Sequence, residues 1–290
     1  MSSTPPLFTT RFAPSPTGRL HKGHAFSALS AYRAAKTADG RFILRIEDID
    51  PTRCKPEFEA GIYEDLAWLG LEWEQPVRRQ SDYLDDYAAV VAGLRQRGLV
   101  YRCFRTRREI LDAIGNAPHG AADAARPGPH TPDEEAELLE SGKPYAWRLS
   151  LDRAKETIGA EAWDALSFVE TGQGPEGETG LVKARPETAG DVVLARKDAG
   201  AAYHLAAVHD DALQGITHVV RGVDLFEATH IQRLIQTLMD WPQPTYHHHR
   251  LMVGPDGKRF AKRDGSITLS ALREGGTTAQ DIYAETGLYP

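Results

Sequence analysis

Residues 11–24 read RFAPSPTGRLHKGH, just after a short polar N-terminus, and the rest of the chain is arranged around them. Residues Thr9–Phe12 alternate β-branched or aromatic side chains with polar ones and stop at a Pro-Ser-Pro-Thr-Gly break, the pattern of a short strand. Pro14 and Pro16 fix their own φ angles and push the residues before them into extended conformations, so the connection is stiff. From residue 24 to 38 small and apolar residues recur at helical spacing, and Asp39-Gly40 closes the helix. The unit is a strand, a rigid turn and a helix N-terminus, with His21 and His24 at the helix entrance. Such an N-terminus offers unpaired N–H groups and the positive end of a dipole, which suits a phosphate. Gly23, between the histidines, lets an adenine or ribose approach the backbone closely. Alone, His-x-x-His reads more readily as a helix start with two exposed histidines, and the Pro- and Gly-punctuated run before it weighs against that.

Outward from this unit, residues Arg41–Ile46 (RFILRI) read as a buried second strand. A strand–helix–strand unit of this length is a right-handed crossover in a parallel sheet, and ligands bind beyond the carboxyl ends of such strands. Glu47 and Asp48 sit at that end, while Asp50 reads as a loop charge or a cap. Residues 56–69 and 82–97 read as amphipathic helices ending at Gly70 and Gly98, with Val100-Tyr101 as a short strand. Residues His218–Gly222 (HVVRG) read as another strand, and Asp224 is expected to cap a helix running to Met239. Arg221 then emerges at a strand's carboxyl end, where its fork-shaped guanidinium can pair bidentately with a carboxylate. A surface salt bridge is the weaker reading of that residue.

The chain has 290 residues, 41% of them hydrophobic and 26% charged, enough for a sizeable core in one or two domains. No apolar run approaches the length of a membrane span, and MSSTPPLF has neither the basic nor the apolar region of a signal peptide, so a cytoplasmic protein with no membrane association is expected. Cys54 and Cys103 cannot make a disulfide framework or a four-cysteine zinc site, and both read as plain thiols. A net charge of −7 argues against indiscriminate nucleic-acid binding, though not against a local basic face. The chain says little of oligomeric state, and a monomer is the expectation.

Arg11 to Gly18 followed by His21-Lys22-Gly23-His24 resembles the signature of class I glutamyl-tRNA synthetases, whose second motif is usually spelled HIGH. Lys22 stands where an apolar residue is usual. ILRIEDIDPTR matches a second landmark of that family, and Tyr203 and Arg221 fall on its tyrosine and arginine that face the amino acid. The resemblance implies an α/β fold, a Rossmann-type class I catalytic domain split over residues 1–100 and 190–265. An inserted α/β acceptor-binding-like subdomain would span 101–189, and a short helical piece 266–290. It also implies that Arg11, Ala13, Ser15, Glu47, Tyr203 and Arg221 hold L-glutamate, with Glu47 on the ammonium. His21, Gly23, His24 and Lys262 would bind ATP, which is expected to bring Mg²⁺ with it. His21, His24 and Lys262 carry the catalytic charge stabilisation in that reading.

Residues 251–263, LMVGPDGKRFAKR, hold a Pro-Asp-Gly turn and then a basic loop similar to the family's second ATP motif, usually spelled KMSKS. Lys262 falls on its essential lysine, with Arg259 for the first lysine and Ala261 for the serine. The run YRCFRTRRE clusters Arg102, Arg105, Arg107 and Arg108. A charge run is most often a solvated face, and contact with acceptor-stem phosphates is the functional alternative. Short glutamyl-queuosine members of the family often carry a zinc-binding Cys-x-Cys there. This chain has Cys103-Phe104-Arg105 and no later cysteine, so structural zinc is expected to be absent.

Residues 115–132 read as a flexible linker, 131–141 as a capped surface helix, and the stretch from 144 to 195 as strands with Gly-rich turns. His247, His248 and His249 lie on a short extended segment where only alternate side chains share a face, which makes a metal site weak and leaves some of them to line the ATP pocket. Full glutamyl-tRNA synthetases continue into a helical anticodon-binding domain, and the chain stops at Pro290. The expectation is therefore glutamate activation by ATP, with the glutamyl group passed to queuosine in the anticodon stem-loop of tRNA(Asp). A truncated or discriminating enzyme charging a tRNA 3′ end is the alternative, and an inactive RNA-binding paralogue a third, non-enzymatic reading.

Overall fold

A computed structural model describes residues 7–106, 108–110, 126–196, 200–252 and 267–290. Strand β1 (Thr9–Phe12), helix α1 (Lys22–Thr37) and strand β2 (Arg41–Ile46) form the expected crossover, with β1 and β2 parallel from Thr9 opposite Arg41 to Phe12 opposite Leu44. The small residues Ala25, Ala28, Ala31 and Ala35 make the buried stripe of α1 and let its backbone lie close to the strands. Helix α2 (Pro56–Trp68) leads to the two-residue strand β3 (Arg78–Arg79), parallel to β2 on its other side. A 3₁₀ turn (Gln80–Tyr83) enters helix α3 (Leu84–Gln96), so the helix expected from residue 82 begins later and in tighter form.

Strand β4 (Val100–Cys103) opens the inserted region, followed by helix α4 (Pro132–Glu140), strand β5 (Ala146–Leu149) and helices α5 (Leu151–Ile158) and α6 (Ala160–Asp164). The two helices correct the all-strand reading of this stretch; Ser150 caps α5 by accepting from the Arg153 N–H at 3.3 Å. Strands β6 (Ser167–Glu170) and β7 (Gly180–Lys183) make an antiparallel hairpin, and β8 (Val193–Arg196) pairs antiparallel with β5. A division at residue 189/190 therefore runs across two sheets: β8 completes the order β4-β5-β8, while β6 and β7 extend the second parallel pair. Within the linker, residues 115–125 lie outside the described ones.

Helix α7 (Tyr203–Leu213), strand β9 (His218–Gly222), helix α8 (Phe226–Met239) and strand β10 (Thr245–His249) form the second half, with β9 and β10 parallel and β6 on the far side of β10. The halves meet where β9 lies along β1: the Thr217 N–H donates to Thr9 O at 2.9 Å, and the Thr9 N–H to Thr217 Oγ1 at 2.8 Å. Leu225 is the N-cap of α8 and makes no side-chain cap bond; Asp224 lies in the preceding 3₁₀ turn, so it does not cap the helix as expected. Helices α9 (Leu269–Glu274) and α10 (Ala279–Thr286) bury Leu269, Ile282 and Tyr283 in the same core as Phe12, Leu29 and Ile46. Each such side chain contributes about 1.5–3 kcal/mol. No helix among the described residues is long and apolar enough to cross a membrane.

Candidate active site

The Pro-Ser-Pro turn after β1 is pinned to the loop after β2. Pro14 O accepts from the Glu47 N–H at 3.1 Å and Pro16 O from the Lys55 N–H at 3.0 Å, so the two sequence landmarks hold each other in place. Helix α1 begins two residues earlier than expected because His21 is its cap. The His21 Nδ1 accepts from the Gly23 N–H at 3.1 Å, while the His24 Nδ1 accepts from the His21 N–H at 3.2 Å. This is a capping box built from imidazoles, with the ring centroids 3.8 Å apart. It spends one of the helix's unpaired N–H groups on His21, and it fixes both rings at the mouth of the sheet. His21 is buried, against the bland reading of two exposed rings.

Above this helix end lies a cavity of about 720 Å³, within the range of small-molecule sites. Arg11, Ala13, Ser15, His21, Gly23 and His24 line one side, and Glu47, Tyr203 and Arg221 close it from the neighbouring elements. Ser27, Gly222, Asp224, His249 and Met252 line it as well. Gly222 permits the tight fit there, since a Cβ would lie 2.5 Å from Asp224 Oδ1. His249 donates from Nδ1 to Arg250 O at 2.9 Å, which leaves Nε2 to accept from Ser27 Oγ at 2.8 Å. His247 instead meets Thr171 at the sheet's outer face.

The charges are arranged by a buried network that the sequence reading passed over. Arg45, fully buried near the carboxyl end of β2, donates from Nη1 to Asp211 Oδ1 at 2.8 Å and from Nη2 to Glu47 Oε1 at 3.1 Å. Asp211 also accepts from Arg11 Nε at 3.0 Å. Neighbouring Asp210 accepts from Arg78, Gln80 and Tyr87 at 3.0, 2.9 and 2.8 Å. Burial alone would lift the Asp211 carboxyl, but the Arg11 and Arg45 guanidiniums outweigh it and hold it below the usual range. Burial wins at Glu47, whose carboxyl is raised despite Arg45 and Arg11. A cation in the cavity would offset that burial and favour the carboxylate, which is what an ammonium ligand supplies. The available signal was a charged residue inside the apolar strand RFILRI and an acidic pair inside an apolar helix.

Arg221 leaves β9 at its carboxyl end and is 6% exposed. Its Nη2 donates to Thr229 Oγ1 at 2.7 Å, and its Nη1 to Gln232 Oε1 at 2.9 Å and to the Tyr203 hydroxyl at 3.4 Å. Lys262, Arg259, Ala261 and Arg263 lie outside the described residues. The chain on either side of that stretch is at the site: Met252 lines the cavity, Thr268 forms a β-bridge with His21, and the Leu269 N–H donates to Leu20 O at 2.9 Å.

Among the described residues no group of three His, Cys, Asp or Glu side chains is placed to hold a metal ion. Cys103 is buried against Tyr101 and Ile110. In the basic run, Arg102 pairs with Glu135 and lies 4.7 Å from the Trp147 ring centroid, a packing role; Arg105 and Arg108 are exposed, and Arg107 lies outside the described residues.

Comparison with known proteins agrees with this geometry. Residues 8–283 match the family model of class I tRNA synthetases (E and Q), catalytic domain. The chain is 46% identical over 287 residues to the glutamyl-Q tRNA(Asp) synthetase of Rhodobacter capsulatus, covering 96% of this chain and 99% of that protein. It is 35% identical over 280 residues to the glutamate–tRNA ligase of Aquifex aeolicus, covering 94% of this chain and 55% of that one. A crystal structure of a glutamate tRNA ligase from Elizabethkingia meningosepticum in complex with its amino acid superposes with a TM-score of 0.71 at 29% identity, over 89% of this chain. The chain spans about half the length of those last two proteins, 55% and 52%. The chain thus belongs to the class I tRNA synthetases (E and Q), a family of ligases, and carries their Rossmann-type α/β catalytic domain.

Proposed function

We propose that this protein activates L-glutamate with ATP and passes the glutamyl group to the queuosine base in the anticodon loop of tRNA(Asp). One observation carries the reading: nine residues from four separate segments, named by motif for glutamate and ATP, line one cavity. The likeness to the glutamyl-Q tRNA(Asp) synthetase of Rhodobacter capsulatus, 46% identical over nearly its whole length, supports the queuosine acceptor.

In this reading the α-carboxylate of glutamate attacks the α-phosphorus of ATP in line. The new oxygen–phosphorus bond replaces the bond to the β-phosphate, and pyrophosphate leaves with its electron pair. A nucleophile of the modified base then attacks the acyl carbon and AMP departs. No covalent bond to the enzyme is needed, so the catalysis is positioning and charge stabilisation. Glu47 takes the substrate ammonium and Arg221 its side-chain carboxylate, with Tyr203 beside it. Arg11, Ala13 and Ser15 shape the wall between them. His21 and His24, fixed by their Nδ1 atoms, sit with Gly23 under the phosphates, and Lys262 meets the charge that builds as pyrophosphate leaves. Mg²⁺ arrives with ATP. We read the enzyme as a monomer, and its ATP and tRNA substrates suit the cytoplasm. The inserted subdomain is read as holding together without zinc.

The test is transfer of labelled glutamate to queuosine-containing tRNA(Asp), with unmodified tRNA(Asp) and tRNA(Glu) alongside. Label on the modified tRNA(Asp) alone is the expected result. Label on tRNA(Glu) would mean 3′-end charging, the activity named for the Aquifex aeolicus relative. No glutamate-dependent ATP–pyrophosphate exchange at all would leave only the inactive RNA-binding reading.

A further inference from the structure

The neighbours that orient Arg221 are neutral groups. Its Nε–H donates to His248 Nε2 at 3.0 Å, its Nη1 to Gln232 and Tyr203, and its Nη2 to Thr229. A nitrogen that accepts carries no proton, so the imidazole proton of His248 must sit on Nδ1. Nδ1 points at Glu170 Oε2, 2.5 Å away. Glu170 is 1% exposed, and its other oxygen accepts from the backbone N–H groups of His248 at 2.9 Å and Gly172 at 2.7 Å. The fit is close: a Cβ on Gly172 would lie 2.2 Å from His248 O. Burial would lift the Glu170 carboxyl, but the His248 ring and these N–H groups hold it below its ordinary value. Burial likewise keeps the imidazole below its ordinary value against the pull of Glu170, so the ring is neutral.

The fold supplies the spacing. Glu170 ends β6, His248 lies on β10 and stands in register with Arg221 on β9. Three adjacent parallel strands thus deliver a carboxylate, an imidazole and a guanidinium in one line, ending at the cavity wall.

We infer that Glu170 is a positioning residue for recognition of the substrate's side-chain carboxylate, setting the His248 tautomer whose bare Nε2 aims Arg221. The inference rests on the proposed role of Arg221 in glutamate binding. A neutral acceptor steers the guanidinium without cancelling its charge, whereas a carboxylate in that place would compete with the substrate.

Glu170→Gln tests it with little change in shape. Its Oε1 keeps the two backbone N–H groups, so the amide NH₂ faces His248 Nδ1 as a donor. The ring proton must then move to Nε2, where it opposes the Arg221 Nε–H. The expected result in ATP–pyrophosphate exchange is a KM for glutamate raised about tenfold or more, the order of one lost hydrogen bond to a charged group, with the KM for ATP unchanged. An unchanged KM for glutamate, or equal losses for both substrates, overturns the inference. ¹⁵N NMR of histidine-labelled wild-type protein decides the tautomer without any variant: His248 protonated at Nδ1 alone is expected, and a proton on Nε2 overturns it. If the wild type shows no glutamate-dependent exchange, the proposed activity fails instead, and the NMR result still reads the tautomer.

Discussion

Arg45 and Asp211 join the two halves of the catalytic fold through a 2.8 Å bond from Nη1 to Oδ1. The guanidinium comes from β2 in the first half and the carboxylate from α7 in the second. Because Arg11 shares the same carboxylate and Glu47 the same guanidinium, two residues on the cavity wall are positioned by a pair that lies behind it.

Asp211→Ala should therefore be strongly destabilising. It removes the carboxylate that two buried guanidiniums share, and breaking a buried pair in this way costs about 3–5 kcal/mol. Urea denaturation of the variant checks it. A loss below about 1 kcal/mol, the scale of an exposed pair, would mean that the network contributes nothing special.

Two groups of carboxylates pull stability in opposite directions with pH. Asp210 and Asp211 are held below the usual range, because hydrogen bonds and arginine charges overcome burial. Their contribution is present above the unfolded carboxylate range and is lost as pH falls through their folded values. Asp65 is buried on α2, its carboxyl pushed up by burial from 3.8 to about 6 against the nearby Arg273 and Arg19. The native state binds its proton more tightly, so its effect is a loss of stability as pH rises from 3.8 to about 6. Asp65→Asn should remove that loss. Thermal melts across this window should show the variant gaining on the wild type as pH rises, and parallel curves would refute the assignment.

Lys262→Ala should lower glutamate-dependent ATP–pyrophosphate exchange by about 10²-fold or more, the usual worth of one such charge contact in a transition state. A near-normal rate would remove Lys262 from the catalytic set.

Arg221→Ala should raise the KM for glutamate by about 10²-fold, since a carboxylate would then meet only neutral groups. The KM for ATP is expected to hold. An unchanged glutamate KM would place the carboxylate elsewhere in the cavity.

Metal analysis of the purified protein should find no stoichiometric zinc, and a chelator should not shift its melting temperature. Cys103 is sealed by Tyr101 and Ile110, and Phe104 packs beside it with ring centroids 5.5 Å from Tyr145 and 5.7 Å from His130. Bound zinc that stabilises the fold would overturn this reading.

The chain's own order of residues was enough for the strand–turn–helix at 9–37, the partner strand at 41–46 and the strand at 218–222, because each is a local pattern closed by Pro, Gly or a polar break. It was enough, too, to nominate nine residues that share one cavity, since the motifs carry unusual residue types at short spacing. Local pattern could not say that β8 leaves the parallel core for the inserted sheet while β6 enters it, because pairing between strands is set by contacts far apart in sequence. Nor could it show that His21 and His24 cap their own helix, or that Leu225 and not Asp224 stands at the N-cap of α8. The pairing of Arg45 with Asp211 and of His248 with Glu170 stayed invisible for the same reason. A buried charge is tolerable only beside its partner, and those partners lie 166 residues away for Arg45 with Asp211 and 78 for His248 with Glu170. Only the folded chain brings them within a hydrogen bond.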